Sequence, residues 1–400
     1  MKLFYLAAIE LGRPDAANRH TIEMCNHLAQ RGHQIFLFVP FKRSPLTTLH
    51  PNIQIIPVPV FYCRKQLITS LSFYLSLFWS FGRHFIRLRP QVVYTRASYL
   101  DVITIAPLRL FFKFTYVAEV NGTRSLETKG NVVKRHLVAR LERLSMVLAD
   151  KAIGVTPALR QWAIVIGKLK SEQTVTIGNG VNVEQFYPIQ SSQARSILGL
   201  DKNVRYLTFT CSLKPWHGTR FLIEALSDIL SEFPSGVRLL IVGDGPEKLR
   251  MIKLARRLGV NHAIDWIGQV SSNKVPLYIN AGEICLAPFS LERNAQTGIS
   301  PIKIFEYMAC GRPFITTRVE TTYDNLIESC RCAVLIPPNQ PVELAHAVVR
   351  LLRNPEQCER MGQQGRQIVV KRYSWAKIAE QTEQFITQPR LLSNKQNFGS

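Results

Sequence analysis

A chain of 400 residues at 46% hydrophobic and 20% charged, with unremarkable totals of 22 Gly and 22 Pro, is neither disordered nor collagen-like nor low-complexity. Its length implies two domains, because single cores stop growing beyond roughly 250–300 residues. A net charge of +22 excludes little by itself, since a basic excess attracts anionic lipid, nucleic acid and phosphorylated small molecules alike.

Eight Cys do not make a disulfide scaffold at this length, and neither Cys330-Arg331-Cys332 nor any other pair has a zinc-ligand partner nearby. Reduced thiols of a cytosolic protein are expected, with no metal site and no cofactor. Residues 1–188 carry 24 Lys and Arg against 10 Asp and Glu, and the remainder 26 against 18, so the first half is the more basic.

In chain order, Lys2–Ala8 is a short apolar run read as a strand, with no small-residue cleavage site, so no secretory leader is expected. Asn18–Gln30 has helical spacing through Ile22, Cys25, Leu28 and Ala29; Gly32 stops it, and Gln34–Val39 is a second strand. Further strands are predicted at Ile53–Val58, Val92–Tyr94, Thr115–Glu119, Lys151–Val155 and Thr174–Ile177, with helices between them. The apolar run Leu67–Phe81 is interrupted by Thr69, Ser70, Ser72, Ser76 and Ser80 and falls short of the ~20 residues a bilayer span needs. Followed by Arg83, His84, Arg87 and Arg89, it reads either as an interfacial helix on an anionic membrane surface or as a core-packed helix with a solvated basic end. The apolar run Ile105–Phe114, carrying Arg109 and Lys113, favours the peripheral reading.

After Gly178-Asn179-Gly180 a polar linker runs from Asn182 to Ser192. A second series follows: Arg205–Cys211, helix 218–232, Arg238–Val242, helix 246–257, Asp265–Ile267, Glu283–Ala287, helix 301–310, Phe314–Thr317 and Ala333–Ile336. Strands alternating with helices give parallel sheets covered on both faces. The expected fold class is therefore α/β, two doubly wound Rossmann-like domains at 1–188 and 189–373, each with its crevice at the carboxyl ends of its strands. Residues 374–400 add a helix over Ser374–Ile386, capped by Ser374 and expected to pack back on the first domain, and a polar tail.

The sharpest segment is Ile299-Ser300-Pro301-Ile302-Lys303-Ile304-Phe305-Glu306-Tyr307-Met308-Ala309-Cys310-Gly311-Arg312-Pro313. Ser300 stands at the N-cap, Pro301 opens the helix and Gly311 stops it. Lys303 and Glu306 share one face near the helix start. They suit a phosphate and a ribose diol, or else form an i,i+3 ion pair on a solvated helix. Ser212-Leu213-Lys214-Pro215-Trp216-His217-Gly218 joins a strand to a helix and is a second place for a polyphosphate. Gly243-Asp244-Gly245 permits close backbone approach but lacks the third glycine of the dinucleotide fingerprint, which speaks against NAD. In the first half, the Leu11–His20 loop places Arg19 and His20 at a strand end, with His20 either an acid/base group or a helix cap. Arg96, then Glu119 and Asn121 with Glu127, fall just past two further strand ends and are expected to line the same cleft.

These residues resemble glycosyltransferase family 4, retaining nucleotide-sugar transferases of the GT-B fold. The resemblance rests on Arg31-Gly32-His33, Gly178-Asn179-Gly180-Val181-Asn182 with Phe186 and Pro188, Val242-Gly243-Asp244-Gly245-Pro246 and the two segments around Lys214 and Lys303. It implies transfer of a hexose from a nucleotide-diphosphate sugar to a glycan or lipid-linked acceptor, without a metal. Glu306 stands as the second acid of the family's Glu-x7-Glu motif, whose first place is Gly298 here. Ser212 and His217 stand where many relatives carry an Arg and a Lys, leaving Lys214 and Lys303 to supply the cations. The donor site implied is Ser212, Lys214, His217, Gly243, Gly268, Val270, Ser300, Lys303 and Glu306. His20, Lys214 and Lys303 are the catalytic candidates, and Arg19, Arg96, Glu119 and Asn121 lie on the acceptor side. A nucleotide-sugar epimerase shares the two-sheet plan. A nucleic-acid-binding protein is disfavoured by the lack of an arginine-rich helix, zinc finger or aromatic RNA-binding signature.

Overall fold

The computed structural model describes residues 1–12, 16–41, 49–63, 66–127, 132–291, 297–299, 302–319 and 324–388. Its first sheet contains β1 (Lys2–Leu6), β2 (Gln34–Pro40), β3 (Ile53–Val58), β4 (Val92–Arg96), β5 (Thr115–Val120), β6 (Lys151–Gly154) and β7 (Thr174–Thr176). All strands run parallel in the order β3-β2-β1-β4-β5-β6-β7. A parallel sheet is covered on both faces, so its strands need unbroken apolar runs, and β1 and β2 provide them in KLFYL and IFLFV. One face is covered by α1 (Ala16–Gln30); the other by α2 (Gln66–Leu88), α3 (Asp101–Phe111), α5 (Val132–Val147) and α6 (Pro157–Gly167), with the short α4 (Arg124–Glu127) leading into α5.

The second sheet has the same winding, β10-β9-β8-β11-β12-β13, built from β8 (Arg205–Thr210), β9 (Val237–Val242), β10 (Ile264–Gly268), β11 (Ile284–Ala287), β12 (Phe314–Thr317) and β13 (Ala333–Ile336). Its helices are α7 (Ser191–Leu198), α8 (Thr219–Glu232), α9 (Lys248–Arg257), α10 (Val275–Ala281), α11 (Ile302–Ala309), α12 (Asp324–Cys330), α13 (Pro341–Leu352) and α14 (Pro355–Arg372). In each sheet the strand order reverses beside the first strand, between β1 and β4 and between β8 and β11. The crevice of a doubly wound sheet opens at that reversal, past the carboxyl ends.

The chain crosses between domains twice, at adjoining places. Val181 N donates to Tyr373 O at 2.9 Å, and Trp375 N donates to Val181 O at 3.2 Å. Ser374 then caps the last helix, α15 (Trp375–Thr387), by accepting from Lys377 N. Trp375, Ile378, Ala379, Phe385 and Ile386 are buried against β1, β2 and α1, so α15 is part of the first domain's core. Each such large side chain contributes about 1.5–3 kcal/mol of burial. A Cβ on Gly180 would lie 2.9 Å from the Trp375 ring, so this glycine leaves the seat that the indole occupies. Lys151 fastens the far end of α15, its Nζ donating to Phe385 O at 2.6 Å and Gln388 O at 2.7 Å.

Several boundaries differ from the sequence reading. The first helix starts at Ala16, two residues early, and α2 continues to Leu88 beyond the apolar run. Helix α7 occupies the end of the expected polar linker. Helices α13 and α14 were not foreseen at all; they cover the second sheet after β13.

Candidate active site

On the first domain, β1, β4 and β5 and the opening turns of α1 deliver their polar residues to one point. Glu119, at the end of β5, is buried and receives Tyr94 Oη, Asn121 Nδ2 at 2.5 Å and the His20 ring, whose Nε2 lies 3.0 Å from Oε2. Arg96 Nε stands 3.6 Å from the same carboxylate, while its Nη1 donates to Ala17 O at 2.8 Å. Burial pushes the Glu119 pKa up, but the His20 and Arg96 charges and the hydrogen bonds from His20 and Tyr94 outweigh it and hold it at about 2. Asp101, on α3 behind Thr95, goes the other way: burial raises it to about 6 against the hydrogen bonds of Ser98, Thr95, Tyr116 and Tyr74.

His20 does not open on the cleft. It is 2% exposed, Nδ1 lies 2.8 Å from Asn179 Oδ1, Nε2 is taken by Glu119, and the Trp375 ring meets it edge-on at 5.0 Å. Both ring nitrogens of this catalytic candidate are held by protein groups, and the ring ties Glu119 to the interdomain crossing at Asn179. Arg19, one residue earlier, does reach the cleft.

On the second domain, the loop from β8 to α8 holds Ser212, Lys214 and His217 against the segment following β11. A Cβ at Gly218, where φ is +74°, would lie 1.5 Å from Pro288 O, so only glycine lets these two loops meet. His217 Nδ1 donates to Ser212 O, and its ring packs on Trp216 and Phe289 at centroid distances of 6.1 and 6.3 Å. Lys214 Nζ lies 5.3 Å from the Trp216 ring centre, and Lys303 Nζ 5.1 Å from Phe289 and 4.8 Å from Phe209. The two lysines are thus linked through three adjoining rings on one side of the domain, beside the β8–β11 reversal.

Lys303 Nζ is shielded from water and has no hydrogen-bond partner among the described residues. Burial lowers its pKa, opposed by the neighbouring Cys211. The i,i+3 pair with Glu306 is not formed. Glu306, with a 5% exposed side chain, instead receives Arg19 Nη1 from across the cleft. Arg19, expected on the acceptor side from sequence, therefore reaches the carboxylate expected on the donor side, with its guanidinium 5.8 Å from the Phe186 ring. A second cross-cleft contact runs from Thr156 Oγ1 to Thr297 O at 2.6 Å. Next to it, a Cβ at Gly298 (φ +67°) would lie 3.1 Å from Thr156 Cβ, so the place of the family's first acid is pressed against the other domain.

The glycines at 243 and 245 serve a different contact from the one expected. At Gly243, φ is +130° and a Cβ would lie 1.8 Å from Cys211 O; at Gly245 it would lie 2.5 Å from Leu213 O. They let the β9–α9 turn press on the β8–α8 loop, backbone to backbone, and so fix the strand of chain carrying Ser212 and Lys214. Gly243 N donates to Gly268 O at 2.7 Å, and Val270 packs on Tyr206 and Val242. Ser300 lies outside the described residues, as does the side chain of Glu127. Phe209 and Phe289 are not marked by the sequence, since an apolar ring at a strand end looks like any core residue, whereas the run Tyr94-Thr95-Arg96 is legible there as cleft lining. Away from the cleft, a cavity of about 760 Å³ opens near Arg205, Arg312 and Pro313, at the amino ends of the second sheet's strands. Its arginines are satisfied internally, Arg312 by Ser191, Ile189 O and Asn280 and Arg366 by Phe186 O and Ala309 O.

Residues 17–185 match the family described as Glycosyltransferase Family 4, and residues 204–354 match Glycosyl transferases group 1. An uncharacterised glycosyltransferase of Methanocaldococcus jannaschii is 20% identical over 371 residues, covering 90% of this chain and 92% of its own. Sucrose-phosphate synthase of Thermosynechococcus elongatus superposes with a TM-score of 0.79 at 20% identity, over 97% of this chain and 98% of that one. HepE of Anabaena, solved with UDP and glucose, superposes at 0.74 and 18% identity over 97% and 100%. With both sheets and the cleft between them matched along nearly their whole length, and with a glycosyltransferase family matched in each half, this chain is a GT-B glycosyltransferase of the family 4 and group 1 type.

Proposed function

We propose that this chain transfers a hexose from a UDP-sugar to a glycan or lipid-linked acceptor, with retention at the anomeric carbon. The observation that carries the reading is the buried Lys303 amine, which has no hydrogen-bond partner among the described residues. A buried cation left without a counter-charge costs several kcal/mol, and a donor's diphosphate would supply that charge. The amino ends of α8 and α11 add partial positive charge to the same place. Support for a uridine donor comes from HepE, which binds UDP.

In this reading the diphosphate lies between Lys214 and Lys303, and the ribose diol takes Glu306 from Arg19. The bond from the anomeric carbon to the phosphate oxygen breaks, and the acceptor oxygen bonds to that carbon on the same face. Its proton passes to the leaving phosphate, since His20 is sealed away. Charge gathering on the diphosphate is stabilised by the two lysines, which act most strongly in a site closed to water. Arg96, Glu119 and Asn121 shape the acceptor side.

The acceptor's class follows from the flank of the first domain. Leu75, Trp79 and Ile86 recur on the outer face of α2 and are widely exposed, Trp79 at 77%, beside Arg83 and Arg87. Leu110 and Phe111 extend the patch from α3. No helix among the described residues is long and apolar enough to cross a membrane. An apolar stripe edged with arginine suits the surface of an anionic bilayer, which favours a peripheral enzyme working on a lipid-linked acceptor.

The test is thermal denaturation with UDP, GDP and ADP. A ligand at a hundred times its dissociation constant stabilises by about 2.7 kcal/mol, a shift of several degrees. UDP is expected to raise the melting temperature most, and Lys303→Met and Glu306→Ala to abolish the rise. No shift with any of the three at millimolar concentration, or a full shift retained by Lys303→Met, overturns the reading.

A further inference from the structure

Two thiols outside the cleft stand closer than packing requires. Cys330 ends α12 and Cys332 precedes β13, and their Sγ atoms lie 3.3 Å apart. Arg331 between them is left-handed at φ +50°, which folds the three residues tightly enough to turn both thiols the same way. Cys330 is partly open to solvent. Cys332 is fully buried, in the cluster that also contains Phe305 and Met308 of α11. The wall on the other side is Gly365 of α14, whose Cβ position lies 3.4 Å from Met308 Cγ and 3.6 Å from Cys332 Cβ. The hydrogen bond from the Cys332 thiol pulls the Cys330 pKa down to about 7, so a large share of Cys330 is thiolate at neutral pH.

We propose that Cys330 and Cys332 are a reversible dithiol–disulfide centre, oxidised by low-molecular-weight disulfides, whose closure loosens the packing beneath the helix that carries Lys303 and Glu306. The Cys330 thiolate attacks one sulfur of the small disulfide, forming a mixed disulfide and releasing a first small thiolate. That thiolate takes the Cys332 proton, and Cys332 then attacks Cys330 Sγ and expels a second small thiolate, which takes a proton from solvent. Two protein thiols lose two electrons in all, and the small disulfide gains them. The sulfurs must close from 3.3 Å to the ~2.05 Å of a disulfide. Cys332 is fully buried in the cluster that contains Phe305 and Met308, so drawing its sulfur toward Cys330 shifts that packing. A ring spanning three residues is strained, so the reduced pair is the resting form, and an oxidising pool converts it.

The chemistry of the pair is independent of the donor reading; only its effect on nucleotide binding rests on it. The folded protein is treated with oxidised glutathione, and its mass and peptide map are measured. The expected product is two hydrogens lighter with a 330–332 link, while Cys332→Ser accumulates a stable glutathione adduct at Cys330 instead. A wild-type protein that keeps all its thiols, or holds a lasting adduct at Cys330, overturns the proposal. In a second arm, the UDP melting shift is compared before and after oxidation and after re-reduction by dithiothreitol. A fall of half or more that re-reduction restores is expected. An unchanged shift in protein shown by mass to be closed overturns the coupling to α11. A reduced protein that shows no shift counts against the donor reading alone, and a mass-resolved comparison of melting temperatures without nucleotide then decides the coupling: equal values overturn it, a lower value in the oxidised form supports it.

Discussion

Replacing Arg19 by Met separates competition from contact at the cleft. The methionine keeps apolar packing on Phe186 and deletes the charge that reaches Glu306. With the Glu306 side chain 5% exposed and Arg19 23% exposed, this pair lies between a surface bridge, worth under 1 kcal/mol, and a buried one, whose breaking costs about 3–5 kcal/mol. About 1–2 kcal/mol is the reasonable range, and the empty Arg19→Met protein is expected to melt lower by that amount. For UDP the sign reverses. The wild-type ribose must displace the guanidinium before it can bond to Glu306, whereas in the variant the carboxylate is already free. At about 1.4 kcal/mol per factor of ten, UDP is expected to bind Arg19→Met about five- to thirtyfold more tightly by calorimetry. Glu306→Gln is expected to bind it ten- to a hundredfold more weakly, through loss of charge-assisted hydrogen bonds of about 1.5–3 kcal/mol. The gain in Arg19→Met shrinks at high salt, because the broken pair is partly solvated. If Arg19→Met binds UDP more weakly than wild type, Arg19 is a ligand of the nucleotide and the reasoning fails. Equal affinities refute it too, since the pair then survives binding.

Five further outcomes follow. Gly243→Ala, with a Cβ driven into Cys211 O at φ +130°, is expected to cost about 3 kcal/mol or more in urea denaturation, and a loss under 0.5 kcal/mol removes the loop-on-loop account. Lys151→Met frees the last carbonyls of α15 and is expected to cost about 2–3 kcal/mol, with α15 amides exchanging first in hydrogen exchange; protection equal to wild type contradicts it. Glu119, held at about 2 against an ordinary 4.5, contributes about 3 kcal/mol that is present above pH 4.5 and lost as pH falls towards 2. Asp101, raised from 3.8 to about 6, has the opposite slope: its share is full below pH 3.8 and lost as pH rises through 6, so Asp101→Asn should flatten the stability profile between pH 4 and 6. Finally, wild type is expected to pellet with phosphatidylserine vesicles at low salt and release at high salt, while a Leu75→Glu, Trp79→Glu, Ile86→Glu variant stays in the supernatant throughout; wild type that never pellets rules out lipid contact.

What could be read from sequence was local in character. The strand–helix alternation set both sheets, and Lys303 with Glu306 was visible as one face of a short helix because three residues separate them. The partner of Glu306 was not visible, for Arg19 lies 287 positions away and meets it only after both domains have folded and faced each other. The linker, read as Asn182–Ser192, gives way to helix two residues sooner, at Ser191, where helix spacing is carried by Ala194 and Ile197 within an otherwise polar segment. At Gly243 the residue type reads as permitting close backbone approach, and the backbone that comes close is that of Cys211, a partner 32 positions away that local pattern does not reveal.

His20 is the most instructive case, because its burial is decided by the other end of the chain. From sequence it stands at a strand end that opens on the cleft, and nothing nearby covers it. The cover is Trp375, brought there by a helix that leaves the second domain and completes the core of the first. The same indole fills the seat left by Gly180, while Asn179, one residue before, holds His20 Nδ1. Both interdomain crossings therefore converge on the histidine that orients Glu119. Asn179 and Trp375 both stand on the first-domain side of the crossing at Val181 and Ser374, so the network around Glu119 belongs to the first domain and is braced where the fold is stitched together.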